Sequence, residues 1–222
     1  MPARSRGFTL VELLVALAVM ALVAVMSWRG LDGMTRAQAQ TRAHTDAVLA
    51  LQTGLAQWTA DLDAMLELRE LPALDWDGRT LRIVRAASLP GQGGPQIVAW
   101  TLRGVAAGGQ WMRWQSPVLH SRAELLQAWD SAALWAQNPG SEARRYEVAV
   151  MPLADWRIFY YRSNAWTNPL SSPDTRAAAG AGTGTPQLPD GVRLQLELPP
   201  GGVVSGVLTR DWARPTVGGG LP

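Results

Sequence analysis

The segment from Arg6 to Trp28 reads RGFTLVELLVALAVMALVAVMSW, and Glu12 is its only ionisable side chain after Arg6. As a helix rising 1.5 Å per residue, Phe8–Trp28 would be about 32 Å long, close to the thickness of a bilayer hydrocarbon core. A carboxylate in such a segment costs about 2.5–3.5 kcal/mol near the helix centre and less near an end. The sequence therefore predicts a transmembrane helix over Phe8–Trp28, in which Glu12 has a function and a cationic partner.

Three kinds of N-terminal segment compete to explain this stretch. A secretory signal peptide has a shorter apolar core, of about 7–15 residues, that ends at a small-residue cleavage site. Here the one Ala-x-Ala, Ala16–Ala18, lies inside the apolar run. An ordinary membrane anchor leaves Glu12 and the Gly7–Phe8 junction unexplained. A class III signal, the type IV prepilin signal, has a short basic leader ending in Gly, then Phe, a carboxylate four residues on, and a long apolar helix.

The N-terminus resembles the third kind of segment. Met1–Gly7 is similar to a prepilin leader, and Phe8–Ala16 is similar to the start of a mature pilin or pseudopilin. In that family a dedicated peptidase cuts after the Gly and methylates the new N-terminal Phe. The resemblance implies cleavage between Gly7 and Phe8, methylation of Phe8 and an assembly role for Glu12. An unpaired carboxylate in lipid would be relieved by the N-terminal amine of a neighbouring subunit, which would fix helix register.

Charge and cysteine content exclude several classes of function. The chain has 20 Arg, no Lys and 18 Asp plus Glu. Removal of a leader that carries Arg4 and Arg6 would leave basic and acidic residues in equal number, so the basic pI does not favour nucleic acid. The absence of Cys excludes a disulfide framework and a thiolate metal site. The absence of Lys excludes a Walker A loop and Schiff-base chemistry.

Basic residues flank the membrane segment on both sides. Arg4, Arg6 and the N-terminal amine favour a cytoplasmic N-terminus, whereas Arg29, Arg36 and Arg42 follow the segment. Because the preceding leader is short and the following chain is long, we expect a single-pass protein of the bacterial inner membrane. Its N-terminus would lie in the cytoplasm and the chain after the membrane segment in the periplasm.

Beyond Trp28 the sequence predicts a continuation of the helix. Gly30 and Gly33 indicate a flexible joint or a kink. The apolar positions that follow recur at intervals of three and four as far as Met65, and Pro72 ends the pattern after Leu71. We expect this part of the helix to pack its apolar stripe on a sheet.

After Pro72 short alternating runs predict β-strands between turns. The runs are Thr80–Arg85, Gln96–Leu102, Trp111–Gln115, Tyr146–Met151, Trp156–Tyr161, Gly191–Leu198 and Val203–Thr209. His120–Gln137 is typical of a short helix or an irregular insert, and the composition of Ser171–Pro189 indicates a flexible loop.

Later pieces of the chain resemble the minor pseudopilin J family of the type II secretion system. They are Trp28–Asp32, Ala60–Leu62, Trp114–Val118, Arg157–Arg162 with Trp166, and Leu188–Leu194. The insert around His120–Arg145 and the loop Ser171–Pro189 depart from the resemblance, so the shape of the domain surface is left open there.

The resemblance implies an α+β pilin-like fold: a long N-terminal helix, half in the membrane and half packed on antiparallel β-sheets. It implies a non-enzymatic subunit without cofactors, processed by prepilin peptidase and assembled at the tip of a periplasmic pseudopilus. Its partners would be minor pseudopilins I and K, other pseudopilins and the inner-membrane secretion platform. The expected divisions are a leader (1–7), a transmembrane segment (8–28), the periplasmic helix (29–71), a β-rich domain (72–213) and a flexible tail (214–222).

Other candidate sites have simpler interpretations. Gly180–Gly184 lacks a preceding strand, so we interpret it as linker and not as a phosphate loop. His44 and His120 form no triad signature. Asp61, Asp63 and Glu67 on one helix, or Asp75 and Asp77 in a turn, would supply carboxylates for a metal, but the preferred interpretation is solvated charge.

The 11 Trp residues allow two interpretations. Trp111, Arg113 and Trp114 would stack nucleic acid or sugar if they were exposed. Alternatively, the Trp residues fill a Cys-free core and line a partner interface, which the neutral mature charge favours. A second function therefore stays open beside the pseudopilin: a minor pilin of a type IV pilus or competence system that binds DNA or a surface. An anchored periplasmic enzyme has no catalytic constellation in its favour.

Overall fold

The computed structural model describes residues 8–87, 93–105, 108–171 and 188–215. Its first element is helix α1, Leu10–Asp63, of 54 residues. Every residue from Phe8 to Asp46 is exposed, whereas Leu51, Trp58 and Leu62 are buried. The chain divides after Asp46 into two units, and α1 belongs to both.

The predicted joint and the predicted end of the helix both differ from the structure. Helix α1 is continuous through Gly30 and Gly33, so these glycines do not interrupt it. The helix ends at Asp63, short of Leu71. The reason is tertiary pairing: the Leu66 N–H donates to the Val84 carbonyl at 2.8 Å, and the chain runs beside a strand where a helix was expected.

The second unit contains a five-stranded antiparallel sheet in the order β1-β2-β3-β4-β5. Its strands are β1 (Leu74–Trp76), β2 (Thr80–Ala86), β3 (Pro95–Val105), β4 (Gly108–Gln115) and β5 (Glu147–Leu153). The sequence predicts all of these except the short β1, with boundary shifts of a few residues. Each strand pairs with the strand that precedes it in sequence. Helix α2, Arg122–Gln137, and a 3₁₀ turn, Ala143–Tyr146, form the connection between the paired strands β4 and β5.

A four-stranded antiparallel sheet completes the unit in the order β7-β6-β8-β9. Its strands are β6 (Asp155–Arg162), β7 (Ala165–Thr167), β8 (Gly191–Leu198) and β9 (Gly206–Ala213). The predicted strand Gly191–Leu198 matches β8 at both ends. The expected last partner, Val203–Thr209, begins later and extends further, as β9.

Two hydrophobic cores lie on opposite faces of the five-stranded sheet. Alternate residues of β3 show the division, since Val98 and Trp100 belong to one core and Ile97 and Ala99 to the other. The first core joins this sheet to the packed part of α1 and to the four-stranded sheet. The second core joins the opposite face to α2. The α+β pilin-like fold predicted from the sequence is therefore confirmed.

Helix α2 resolves the ambiguity between helix and irregular insert over His120–Gln137. Ser121 is its N-cap and accepts a hydrogen bond from the Glu124 N–H at 3.2 Å. Its buried face packs on the sheet through Leu125, Trp129 and Trp135, among others. The leader 1–7, most of the predicted loop (172–187) and most of the predicted tail (216–222) lie outside the described residues.

Candidate functional site

The N-terminal part of α1 has the properties expected of a membrane segment. The helix is long and apolar enough to cross a bilayer, judged by length and composition. Its large apolar side chains are exposed, from Phe8 at 76% to Trp28 at 74%. An exposed apolar helix of this length requires lipid or other helices around it.

Glu12 lies at the start of α1 and contacts Thr9. The Thr9 hydroxyl donates to Glu12 Oε2 at 3.4 Å, and the Thr9 N–H lies 3.5 Å from the same oxygen. In return, the Glu12 N–H donates to Thr9 Oγ1 at 3.3 Å. This is a capping box, in which a Thr and a Glu three residues later satisfy each other's free N–H groups. The sequence Thr9-Leu-Val-Glu12 carries the signature for it.

The capping box does not enclose the Glu12 carboxylate. Glu12 is exposed, and its contacts to Thr9 are long. The carboxylate is therefore accessible to a cationic group from another chain, in agreement with the function predicted for it. Of the two residues at the predicted cleavage site, Gly7 lies outside the described residues and Phe8 is the first described residue. The roles of Gly7, Phe8 and Glu12 stay predictions.

A second polar site was not predicted. Asp61 lies on the buried face of α1 and is fully inaccessible to solvent. Arg85 of β2 forms an ion pair with its Oδ1. Arg113 of β4 donates to Asp61 through Nε and Nη2, at 2.8 Å each. Trp100 Nε1 of β3 donates to Oδ2 at 2.9 Å. One helix carboxylate thus joins three neighbouring strands.

The Asp61 cluster corrects the interpretation of its carboxylate as solvated charge. The sequence alone could have indicated that Asp61 is buried, since it lies between Trp58 and Leu62 of the apolar stripe. Its partners were not, because they lie far away in sequence on separate strands. A buried carboxylate tends to be stable only when paired and hydrogen-bonded. Two guanidinium groups and an indole N–H satisfy that need here.

The other acidic candidates also make polar contacts within the protein, and Glu67 lies beyond the end of α1 and not on the helix as was expected. Asp63 accepts from Trp212 Nε1 at 2.8 Å, and Glu67 accepts from Arg214 at 2.8 Å. Asp75 pairs with Arg82, and Asp77 accepts backbone N–H groups in a turn. Within the described ranges, no group of three or more His, Cys, Asp or Glu residues could hold a metal ion.

Among the described residues, the two histidines do not assemble a catalytic site. His44 lies on exposed α1. His120 precedes α2, and its backbone N–H donates to Glu124 at 2.7 Å. Gly180–Gly184 lies outside the described residues.

The structure decides between the two interpretations of the tryptophans. Trp111 is fully buried and Trp114 is 5% exposed, in different cores. Trp111 lies against Trp100, with ring centroids 4.5 Å apart. Neither ring presents a face for stacking a base or a sugar. The interpretation of Trp residues as core filling is confirmed for these positions.

Comparison with known proteins places this geometry in a class. The family model for the prokaryotic N-terminal methylation motif matches residues 2–28. Together with the exposed apolar helix and the antiparallel sheets, the motif is consistent with a pilin-like fold whose N-terminal helix is long and apolar enough to anchor it in a membrane.

A particular relative narrows the class. The chain is 39% identical over 66 residues to the type II secretion system protein J of Klebsiella pneumoniae. The match covers 30% of this chain and 33% of the relative's length. The resemblance to pseudopilin J predicted from the sequence is therefore confirmed over that stretch.

Proposed function

We propose that this chain is a minor pseudopilin of the type II secretion system, which supports the export of folded proteins across the outer membrane. The similarity to protein J over 66 residues carries the proposal. The subunit acts through assembly and catalyses no reaction. The methylation motif is equally compatible with the alternative function, a minor pilin of a type IV pilus or competence system. The burial of Trp111 and Trp114 removes the feature that favoured nucleic-acid binding.

Processing is the first step of the proposal. Prepilin peptidase cleaves between Gly7 and Phe8 and methylates the amine of Phe8. The matched motif over residues 2–28 supports this. After cleavage, Phe8–Trp28 spans the inner membrane, with its N-terminus in the cytoplasm and the β-rich domain in the periplasm. Arg4 and Arg6 of the leader support that orientation.

Assembly is the second step. The exposed carboxylate of Glu12 pairs with the N-terminal amine of a neighbouring subunit, which offsets the cost of a charge in lipid. The subunit then lies at the pseudopilus tip with minor pseudopilins I and K, and the inner-membrane platform drives its extraction from the membrane.

The processing step is tested by Gly7→Ala in the full chain, expressed with its prepilin peptidase. Intact-mass measurement should find the wild type beginning at a methylated Phe8 and the variant retaining residues 1–7. A mature N-terminus at Phe8 in the variant would remove the class III interpretation and, with it, the proposed pathway.

The assembly step is tested by purifying the full chain in detergent with pseudopilins I and K of the same organism. Light scattering after size-exclusion chromatography should show a ternary complex. In cells, Glu12→Ala should leave the domain folded but reduce its incorporation and secretion severalfold, whereas Glu70→Ala, at an exposed carboxylate of the second unit, serves as a distant control. Absence of a complex, with the chain folded by circular dichroism, would move the assignment to a pilus, and unchanged secretion would disprove the role of Glu12.

A further inference from the structure

The insert around His120–Arg145, which departs from the pseudopilin resemblance, forms a groove. Helix α2 packs one side of its surface on the five-stranded sheet, and the chain returns through the 3₁₀ turn Ala143–Tyr146. Between α2, this turn and the segment after β4 lies an open pocket of about 460 Å³. We call this pocket the α2 groove.

The α2 groove has an apolar floor, and its rim carries apolar, polar and acidic side chains. Trp114, Leu119 and Trp135 are buried beneath it and belong to the second core. Leu134 and Tyr146 stand at its rim, where they are 65% and 43% exposed. An exposed leucine and tyrosine beside an unfilled apolar pocket are typical of a surface that another molecule covers.

The charged groups of the α2 groove have one sign. Among its lining residues the carboxylates are Glu124 and Glu142, and no Arg or His lines it. The His120 backbone N–H donates to Glu124 at 2.7 Å and lowers the pKa of this carboxyl, so Glu124 keeps its negative charge in mildly acidic solution. Arg144 and Arg145 belong to the same turn, but they are not part of the lining.

These features select the chemistry of the occupant. An apolar pocket favours aliphatic or aromatic side chains, and two rim carboxylates favour flanking cations and disfavour flanking acids. We propose that the α2 groove binds an apolar protein segment flanked by Arg or Lys. The inference rests on the lining of the groove and is independent of whether the assembly is a secretion pseudopilus or a pilus.

The probe is a fluorescein-labelled peptide, RRLLWLLRR, titrated with the full chain in phosphatidylcholine nanodiscs and followed by anisotropy. Zwitterionic lipid limits electrostatic binding of the basic peptide to the membrane, and a titration of empty nanodiscs measures the lipid binding that is subtracted. Two further peptides, EELLWLLEE and RRSSGSSRR, test charge and apolarity separately. We expect saturable binding of the basic apolar peptide, and binding at least about tenfold weaker for each of the other two.

Matched variants on α2 show where the peptide binds. Leu134→Ser removes an apolar rim contact and should raise Kd about fivefold or more, whereas Leu126→Ser changes an exposed leucine outside the groove and should leave Kd unchanged. Glu142→Gln should raise Kd about two- to fivefold and weaken its salt dependence, with Asp130→Asn as the control.

Three results would overturn the proposal. The first is no saturable binding of RRLLWLLRR to the wild-type chain. The second is equal binding of the basic and acidic peptides, which would mean nonspecific apolar contact. The third is an equal effect of Leu134→Ser and Leu126→Ser, which would place the binding site elsewhere.

Discussion

Helix α1 carries an exposed ion pair at Asp32 and a buried ionic cluster at Asp61, which differ chiefly in their surroundings. In the exposed part, Arg36 pairs with Asp32 at 2.6 Å, and these side chains are 79% and 48% exposed. In the packed part, Asp61 is fully buried with Arg85 and Arg113. The first contact lies between residues of one helix face, and the second joins the helix to two strands. The comparison teaches that burial, more than the presence of an ion pair, decides how much a charge on α1 matters for stability.

The energetic expectation follows from desolvation. Exposed ion pairs contribute about 0–1 kcal/mol, because water already solvates both charges well. Removal of one partner from a buried pair costs about 3–5 kcal/mol, because the remaining charge stays buried without compensation. Loss of the Asp61 charge would leave two guanidinium groups, those of Arg85 and Arg113, buried without a compensating charge from Asp61.

The largest effect is therefore expected for Asp61→Asn. The substitution keeps the size of the side chain but removes its charge, and should lower the free energy of unfolding by about 3–5 kcal/mol. Urea unfolding of the full chain in detergent, followed by Trp fluorescence, measures this. Asp32→Asn is the matched control, with a change within about 0.5 kcal/mol. Similar losses in both variants would refute the comparison.

The contrast between the two parts of α1 was only partly predictable from sequence. The apolar run Phe8–Trp28 is a local pattern, and its length and single carboxylate suffice to predict a membrane helix. The stripe containing Leu51, Trp58 and Leu62 likewise predicts the packed face, because helix periodicity is local. Strand Gly191–Leu198 was predictable from alternation alone.

The Asp61 cluster and the helix end were not predictable, because both depend on contacts between distant residues. Arg85 and Arg113 reach Asp61 only after three strands have paired in register. The helix ends at Asp63 because Leu66 bonds to Val84, although its own sequence permits helix as far as Pro72. Local propensity is overridden in both cases by tertiary pairing.

Glycine substitutions should also affect stability differently in the packed and the exposed parts of α1, with smaller changes than those at Asp61. A Cβ at Gly54 would lie 2.6 Å from Val150 Cγ1 and 3.0 Å from a ring carbon of Trp111, whereas a Cβ at Gly33 meets nothing within 4 Å. Gly54→Ala should cost about 1–3 kcal/mol through overpacking. Gly33→Ala should stabilise its part of the helix by up to about 1 kcal/mol.

Urea unfolding and helical circular dichroism of the two glycine variants measure these opposite signs. An unchanged Gly54→Ala midpoint would show that β5 yields freely, and the tight packing of α1 against this strand would then contribute little to stability.

The last and smallest predicted loss of stability concerns an ion pair whose exposure lies between that of the Asp32–Arg36 pair and that of the Asp61 cluster. Arg193 of β8 and Asp211 of β9 lie opposite each other, and two hydrogen bonds of 2.7 Å join them. These bonds from Arg193 hold the pKa of Asp211 below its ordinary value, against a smaller opposing effect of burial. Their side chains are 33% and 46% exposed, so solvent screening limits the contribution to less than about 1 kcal/mol.

The pH dependence of Asp211→Asn tests this intermediate case. Because folding lowers the pKa of Asp211, the pair stabilises the protein fully above the unfolded value of about 3.9, and the contribution disappears as pH falls through the lowered value. Wild type should therefore be more stable than the variant at pH 7 by a few tenths of a kcal/mol, and the difference should shrink as the solution is acidified. High salt at pH 7 should reduce it as well. A difference that grows in acid would reverse the sign of the linkage and contradict the pair, whereas one as large as that of Asp61→Asn would show that exposure does not order the ionic contacts of this protein.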